Sequence, residues 1–419
     1  MPAVEHQALG HALPLWSVLP FAGLLLSIAL FPLFASRFWV RHFGKVSLAF
    51  GLPVAAWFLI AAPGELWRTA LEYVSFLVLL GSLFTISGGI LLKGTIRGTP
   101  AVNCTFLGVG AVIANLLGTT GASMLLIRPL LRANEGREKR SHIIIFYIFV
   151  VANIGGLLTP IGDPPLFLGY LKGVPFFWTV GNLWPLWLCT AGMVIGVFYL
   201  LDRQAYRAEG GGEHGRTPEG GGREPLSLEG SWNFLLLGVV IGAVFLPTPW
   251  REGAMAAATG VSAWKTPEQI RKGNQFSYHP IKEVAILFAG IFATMIPALL
   301  ILKARGGELG VVRPWHFFWA AGTLSSFLDN APTYLTFFSL AQGLSGPADV
   351  VGISAPILKA ISAGAVFMGA NSYIGNAPNF MVKAIAEASG VGMPSFFGYM
   401  MYSAAVLLPL FVLITWIFL

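Results

Sequence analysis

The chain has 419 residues, of which 55% are hydrophobic and 11% are charged, and its formal net charge is +7. Soluble domains carry about 25% charged residues, so this composition excludes an ordinary soluble protein and indicates one that lies in lipid. The basic residues lie in short loops beside apolar segments, a pattern that sets membrane orientation, so we expect no nucleic-acid partner. The two cysteines, Cys104 and Cys189, lie in different apolar runs and give no support to a disulfide framework.

Nine apolar segments are candidate membrane crossings, since a bilayer-spanning helix needs about 20 apolar residues. In chain order they are 14–35, 45–62, 71–92, 142–172, 177–201, 231–248, 281–302, 355–389 and 395–418. The first is too long for a signal-peptide core and no Lys or Arg precedes it, so we expect a retained helix with its N-terminus outside. Two further apolar stretches, 100–131 and 314–343, are interrupted midway by small and polar residues and are expected to form hairpins.

A polar segment divides the chain into two parts. Residues 202–230 are rich in Gly, Glu and Arg and carry too few apolar residues to bury a core, which predicts a flexible cytoplasmic linker. The chain would then consist of an N-terminal half, residues 1–201, and a C-terminal half, residues 231–419.

The two halves share a sequence pattern. IGDPPLF at 161–167 and IGNAPNF at 374–380 both fit I-G-x-x-P-x-F, and each follows an interrupted apolar run, ANLLGTTGAS at 114–123 or SFLDNAPTY at 326–334. The separations agree, with 48 residues from Asn115 to Asp163 and 47 from Asp329 to Asn376. A third pair of landmarks, Gly81–Thr85 and Gly290–Thr294, precedes the interrupted runs. The pattern predicts an internal repeat, and the alternative is unrelated Gly and Pro kinks.

Positive charge predicts how the halves are oriented. If 100–131 enters and leaves on one side, twelve basic residues between positions 37 and 207 face the cytoplasm and only Arg68 and Lys172 lie opposite. In the second half, the Ala-rich segment 251–264 is either a surface helix or a fifth crossing. A crossing places Lys265 and its basic neighbours inside, although it leaves Lys303 and others outside. Five crossings per half is an odd number, so we expect the second half to be inverted relative to the first.

The fold that we predict is therefore an all-α integral membrane protein with two inverted repeats, each of five crossings and one re-entrant hairpin. In both repeats one helix is discontinuous near the midplane. Secondary transporters commonly build their sites in this way, because irregular backbone in a membrane is tolerated only where it is buried or lines a wet cavity. Pro160, Pro164 and Pro165 break the first such helix around Asp163.

The residues that we expect to bind an ion lie at the hairpin tips and in the broken helices. They are the carboxylates Asp163 and Asp329, as the expected Na⁺ ligands, and the neutral donors Thr119, Thr120, Ser123, Asn153, Thr159, Asn330, Thr333, Asn371, Ser372 and Asn376. A carboxylate at membrane depth costs about 2.5–3.5 kcal/mol and is functional by default, and neutral oxygens suit a hard cation. The alternatives are helix N-caps for the aspartates and helix cross-links for the neutral residues.

These motifs carry a family resemblance. DNAP at a hairpin tip (329–332), with TPIGDPP (159–165) and GNAPN (375–379) in broken helices, resembles the ion transporter superfamily, and within it the NhaD-type and arsenite-permease-like sodium:proton antiporters. Citrate and dicarboxylate carriers are relatives. The resemblance covers the chain from about residue 70 to its end, and implies a bacterial inner-membrane protein, often a homodimer in the bilayer. Dicarboxylate carriers have Ser-Asn-Thr-like tips, whereas this chain has GTTG and DNAPT.

Three functions are compared. In the first, Na⁺ and H⁺ are the transported ions, compete for the same carboxylate oxygens and are exchanged, with no cofactor. In the second, an anion such as citrate, a dicarboxylate or arsenite binds helix N-termini while the aspartates bind a coupling cation. The third is a membrane enzyme or scaffold, but the sequence offers no nucleophile–base pair. We predict a transporter and not an enzyme, with Na⁺/H⁺ exchange as the first hypothesis.

Overall fold

The structure is a computed structural model that describes residues 8–94, 96–210, 227–344 and 348–419. Its helices are numbered here in chain order: α1 Leu19–Phe34, α2 Ser36–Ala61, α3 Pro63–Ser87, α4 Pro100–Ala133, α5 Ser141–Val150, α6 Pro164–Leu171, α7 Phe176–Ala208, α8 Asn233–Ala243, α9 Trp250–Lys265, α10 Glu268–Gly273, α11 His279–Arg305, α12 Pro314–Ser325, α13 Asn330–Gln342, α14 Ala355–Met368, α15 Ala377–Ala388 and α16 Phe396–Phe418. Two short strands, β1 Leu91–Lys93 and β2 Ser227–Glu229, pair antiparallel.

The protein is an all-α integral membrane protein. Within the described residues, eight helical segments are long and apolar enough to cross a bilayer, as the composition predicts. Helix α8 is shorter than the predicted crossing 231–248, because Pro247 and Pro249 follow it and prevent a longer helix. Its 11 residues span about 16 Å.

Helix α4 turns back on itself and forms hairpin 1, defined as Pro100–Ala133. Gly118 interrupts it with φ +74°, a conformation that glycine adopts without strain. The two ends of the hairpin meet, since Gly98 N–H donates to the carbonyl of Ala133 at 2.7 Å, and Asn103 and Asn134 exchange amide hydrogen bonds. The segment therefore enters and leaves on one side, although its length alone would allow it to cross.

Hairpin 2, defined as Pro314–Gln342, consists of α12 and α13 joined by a turn at residues 326–329. Its ends also lie together, because Pro314 and Ala341 line one surface depression. The two broken helices follow the hairpins in the chain. Broken helix 1 is α5, a 3₁₀ turn at Ile154–Leu158 and α6, and broken helix 2 is α14, a 3₁₀ turn at Gly369–Asn371 and α15.

The predicted Ala-rich segment is helix α9, which lies beside α3. Ser75 of α3 donates to Glu252 at the start of α9 at 2.6 Å. About two helical turns further along both helices, Thr259 donates to Ser82 at 2.7 Å. The 16 residues of α9 span about 24 Å, somewhat less than the hydrocarbon core. Whether α9 crosses, and whether the second half is inverted, stay predictions.

The predicted linker differs from the structure at both ends. Helix α7 continues through residues 202–208, and β2 occupies 227–229, while residues 211–226 lie outside the described part of the chain. The helix continues because Asp202 is completely buried and ion-paired to Arg137 at 2.8 Å, which a solvated linker would not permit. The division of the chain into residues 1–201 and 231–419 stays a prediction.

Candidate functional site

The carboxylate of Asp163 lies where all four interrupted elements meet. It is 1% exposed and accepts three side-chain hydrogen bonds. Thr119 Oγ1 at the tip of hairpin 1 donates to Oδ1 at 2.7 Å, and Asn376 Nδ2 of broken helix 2 donates to the same oxygen at 3.1 Å. Asn330 Nδ2 at the tip of hairpin 2 donates to Oδ2. The structure thus brings four of the predicted residues into direct contact, from both halves of the chain.

Backbone breaks place these side chains. Gly118 turns the tip of hairpin 1, and the next residue, Thr119, donates its N–H to the carbonyl of Gly162 at 2.8 Å. Asp163 then precedes α6 with extended backbone, and Pro164 at the first helical position has no N–H that requires a cap. The Asp163 side chain makes no N-cap hydrogen bond, so the alternative role of helix cap is wrong for this residue.

Asp329 behaves differently from Asp163. It is the N-cap of α13, and its Oδ1 accepts the N–H of Ala331 at 3.0 Å, so this side chain does act as a helix cap. Asp329 is partly exposed and adjoins Asn330, which is bonded to Asp163. Thr333, predicted as a ligand, donates back to the carbonyl of Asp329 at 2.9 Å. The site therefore has one buried carboxylate and a second at its edge.

The two halves repeat the same local bonding at their breaks. Thr159 Oγ1 donates to the carbonyl of Asn115, and Ser372 Oγ donates to the carbonyl of Ser326. The N–H of Gly162 donates to Thr159 Oγ1 at 3.0 Å, and in the second half Gly375 N–H donates to Ser372 Oγ at 3.2 Å. Thr159 and Ser372 thus fasten each broken helix to the tip region of its own hairpin. These matched contacts support the predicted internal repeat at the level of individual bonds.

The remaining predicted residues lie around this centre. Thr120 lines a cavity of about 20 Å³ between the tip of hairpin 1 and α3, together with Thr119 and Leu83. Asn371 donates to Ser326 Oγ at 2.9 Å, a further link to hairpin 2. Ser123, one turn beyond Thr119, is completely buried. Apart from the two threonines, the cavity is lined by apolar residues and glycines of hairpin 1, α3 and broken helix 1, and Asp163 is not among its lining residues.

Asn153 joins the two broken helices. Its Nδ2 donates to the carbonyl of Ile148 at 2.8 Å and to Asn379 Oδ1 at 2.7 Å. Asn376 adds a second link through the carbonyl of Ala152, at 3.1 Å. The two broken helices are therefore hydrogen-bonded to each other at their breaks. The repeat pattern alone did not indicate this contact.

Several buried side-chain oxygens near the breaks have no hydrogen-bond donor. Among the described residues these include Ser123 Oγ, Asn153 Oδ1, Asn330 Oδ1 and Asn371 Oδ1. A buried acceptor without a partner costs about 1–3 kcal/mol, which a cation or a bound water recovers. All four residues were predicted as ligands from the sequence. The amide oxygens of Asn153, Asn330 and Asn371 can only accept, which suits a positive ligand, whereas the Ser123 hydroxyl can also donate.

A second buried polar cluster was missed in the sequence. Asp202 Oδ1 accepts from Arg137 at 2.8 Å and contacts His142 Nε2 at 2.9 Å, while Asn103 donates to Oδ2 at 2.9 Å. Arg137 also bonds Glu209 at 2.7 Å. The cluster fixes the base of hairpin 1 to α7. The Gly- and Glu-rich residues that follow made Asp202 look solvated, but the helical spacing of Phe198, Asp202 and Tyr206 was the available signal.

Comparison with known families decides the broad class. A family model described as "Putative citrate transport" (CitMHS_2) matches residues 10–419. The chain belongs to this family. A comparison with curated proteins finds no match. The protein is thus a multi-pass membrane protein of a transporter family related to citrate carriers, in agreement with the broader part of the predicted resemblance.

Proposed function

We propose that the protein is a Na⁺/H⁺ antiporter in which Asp163 binds the two ions alternately. The observation that carries this proposal is the environment of the Asp163 carboxylate, which is buried and whose three hydrogen-bond donors, Thr119, Asn330 and Asn376, are all uncharged. A buried carboxylate without a cationic partner needs a proton or a metal cation for neutrality.

Competition between these two cations is sufficient for exchange. When Na⁺ occupies the carboxylate oxygens the proton must leave, and when the proton returns Na⁺ is released. The amide oxygen of Asn330 has no donor and belongs to the same side chain that contacts Asp163, so it is available as a neutral ligand. Asp329 adds a second negative charge at the edge of the site, which favours cations over anions.

Family membership favours a second candidate, a cation-coupled citrate carrier. In that case a cation would have to bind at Asp163 before citrate binds, because the negative charges of citrate would otherwise be repelled by the carboxylates of Asp163 and Asp329. The three side chains bonded to Asp163 are uncharged, and the carboxylate of Asp329 at the edge of the site disfavours an anion, so exchange is the function that the geometry supports best.

Transport in everted vesicles tests the proposal. A pH gradient is established across vesicles that contain the protein, and Na⁺ is added without any organic anion. We expect Na⁺ to dissipate the gradient, and an Asp163→Asn variant to lose this effect. Glu268→Gln vesicles serve as a control for expression, because Glu268 is an exposed carboxylate outside the site.

Labelled citrate separates the two candidates. If citrate accumulates in a Na⁺-dependent manner and Na⁺ alone moves no protons, the protein is a citrate carrier and the exchange proposal is wrong. If Na⁺ alone moves protons and citrate has no influence, exchange is supported.

A further inference from the structure

A cavity of about 620 Å³ lies at the base of hairpin 2, in the surface depression between the two ends of the hairpin. Its walls come from hairpin 2, from the 3₁₀ turn that follows α11 and from the start of broken helix 2. Sites for small organic molecules commonly measure about 300–1,000 Å³ and combine mostly apolar walls with a few fixed polar groups. The cavity therefore has the size of a small-molecule site.

The wall is apolar apart from a single charge. Asp349 is the only charged side chain among the described lining residues, and hydrocarbon comes from Val312, Pro314, Leu344, Pro356 and Ile357. An organic molecule with one positive charge matches this surface, because its apolar part leaves water against the wall and its charge meets the carboxylate. An anion of the same shape would meet a negative wall.

The carboxylate of Asp349 is fixed through one oxygen and open at the other. Its Oδ2 accepts the N–H of Ala355, the first residue of α14, at 3.0 Å. Its own N–H donates to the carbonyl of Ile353 at 3.1 Å. Oδ1 has no hydrogen-bond partner among the residues that the structure describes. One carboxylate oxygen at the cavity wall is thus left for a donor that a ligand would bring.

The loop that carries Asp349 is held in one shape. Val350 and Ile353 exchange backbone hydrogen bonds at 3.0 and 2.9 Å, and Val351 between them has φ +44°. A β-branched residue in the left-handed region is strained, and such strain persists only where the surroundings impose it. Gln342 of α13 contributes to this by donating to the carbonyl of Val351 at 2.9 Å. The loop is therefore tied to hairpin 2, and Asp349 is positioned before any ligand binds.

The cavity is separate from the ion site. Ala341 lines the cavity and lies 11 residues after Asn330, which contacts Asp163, so about 16 Å of α13 separates the two places. None of the three residues bonded to Asp163 is among the described lining residues. A ligand in the cavity would therefore not compete with a cation at Asp163.

We propose that this cavity binds a hydrophobic organic ammonium ion, with the ammonium group on Asp349 and the apolar part between hairpin 2 and broken helix 2. A bare metal cation fits less well, because Ca²⁺ and similar hard ions take six or more oxygen ligands and most of this wall is hydrocarbon. An ammonium group needs only a few acceptors, and its hydrocarbon part uses the remaining wall.

Three probes with the same phenyl group and different charge test the proposal: 2-phenylethylammonium, 2-phenylethanol and 3-phenylpropanoate. Calorimetry on the purified full-length protein should show one bound ammonium per chain and much weaker binding of the other two. Asp349→Asn should weaken ammonium binding about tenfold or more, since a charge-assisted hydrogen bond is lost. Asn also caps helices, so the loop should keep its shape. Glu308→Gln is the matched control, because Glu308 is an exposed carboxylate beside the cavity and does not line it.

A second variant and the ion site complete the test. Val312→Trp places a large side chain in the cavity and should also weaken ammonium binding, whereas Asp163→Asn and saturating Na⁺ should leave it unchanged. The proposal is wrong if the three probes bind alike, or if Asp349→Asn binds the ammonium ion as the wild type does. It is also wrong if Na⁺ or Asp163→Asn abolishes the binding, because the probe would then occupy the ion site. Loss of Na⁺-driven proton movement with intact ammonium binding would overturn exchange alone.

Discussion

Asp163 and Asn376 occupy the same position in the two broken helices and are hydrogen-bonded to each other, with Asn376 Nδ2 donating to Asp163 Oδ1 at 3.1 Å. Each is the residue immediately before the second half-helix, α6 or α15. Two equivalent positions of a repeat therefore meet at one point, and only one of them carries a charge. The two positions match in backbone and differ in charge, and the first two predictions below use this difference.

Replacing Asp163 by Asn removes the only buried carboxylate of the site while nearly preserving its shape. In the wild type, apparent Na⁺ affinity should fall as the pH falls, because protons compete for the carboxylate, and should level off at alkaline pH. In Asp163→Asn this pH dependence should disappear, since an amide does not exchange a proton. Calorimetry of Na⁺ binding across pH measures it, and an unchanged pH slope in the variant would make Asp163 structural.

Replacing Asn376 by Asp places a second carboxylate within hydrogen-bond distance of the first. Two carboxylates this close hold one proton between them more tightly than a single one does. The pH below which Na⁺ binding is lost should therefore move to a higher value than in the wild type. Asn376→Ser removes the amide donor to Asp163 without adding a charge, so it should move that pH upward by less than Asn376→Asp does. A downward movement in Asn376→Asp would contradict the close contact with Asp163.

Replacing Asp329 by Asn separates its two roles. Asn is as good an N-cap as Asp, so the variant should fold and retain its thermal midpoint. Transport should nevertheless fall severely, because the second negative charge at the edge of the site is lost. Na⁺-driven proton movement in vesicles is the measurement. Wild-type rates would leave Asp329 with its capping role alone.

Replacing Asp202 by Asn is expected to destabilise the protein without altering the ion site. Asp202 is 0% exposed and its partner Arg137 is 7% exposed, and breaking a buried pair costs about 3–5 kcal/mol. The thermal midpoint in detergent should fall clearly, while the pH dependence of Na⁺ binding stays that of the wild type. Glu268→Gln, in a pair with Lys272 whose side chains are 78% and 72% exposed, should not change the midpoint.

Single cysteines test the inverted repeat. In a variant without Cys104 and Cys189, a cysteine at the exposed Glu135 should react with an impermeant reagent only from the cytoplasm, and one at the exposed Ala348 only from outside. The two positions follow hairpin 1 and hairpin 2, which the repeat places on opposite sides. Labelling of both from the same side would show a parallel arrangement.

Much of the fold could be predicted from the sequence, because the bilayer limits the choices. Apolar runs of about 20 residues predict helices, and breaks rich in Gly, Pro and Asn predict interruptions, since an unpaired backbone is costly in lipid. Asp163 stood out for the same reason, as a charge in an apolar segment. Element ends were less predictable: α7 continues past residue 201 because burial of Asp202 stabilises a stretch whose composition suggests a linker.

Only the tertiary structure decided which predicted residues meet. Thr119, Asn330 and Asn376 reach Asp163, whereas Thr159 and Ser372 use their hydroxyl groups on hairpin carbonyls and Thr333 on its own helix. In sequence these residues are alike, since each is a small polar side chain at a break. Their roles separate because the direction of a side chain depends on backbone angles at Gly118 and the broken helices, and on packing between halves that are far apart in the chain. Composition determines that such groups must be satisfied, but three-dimensional proximity determines which partner satisfies each one.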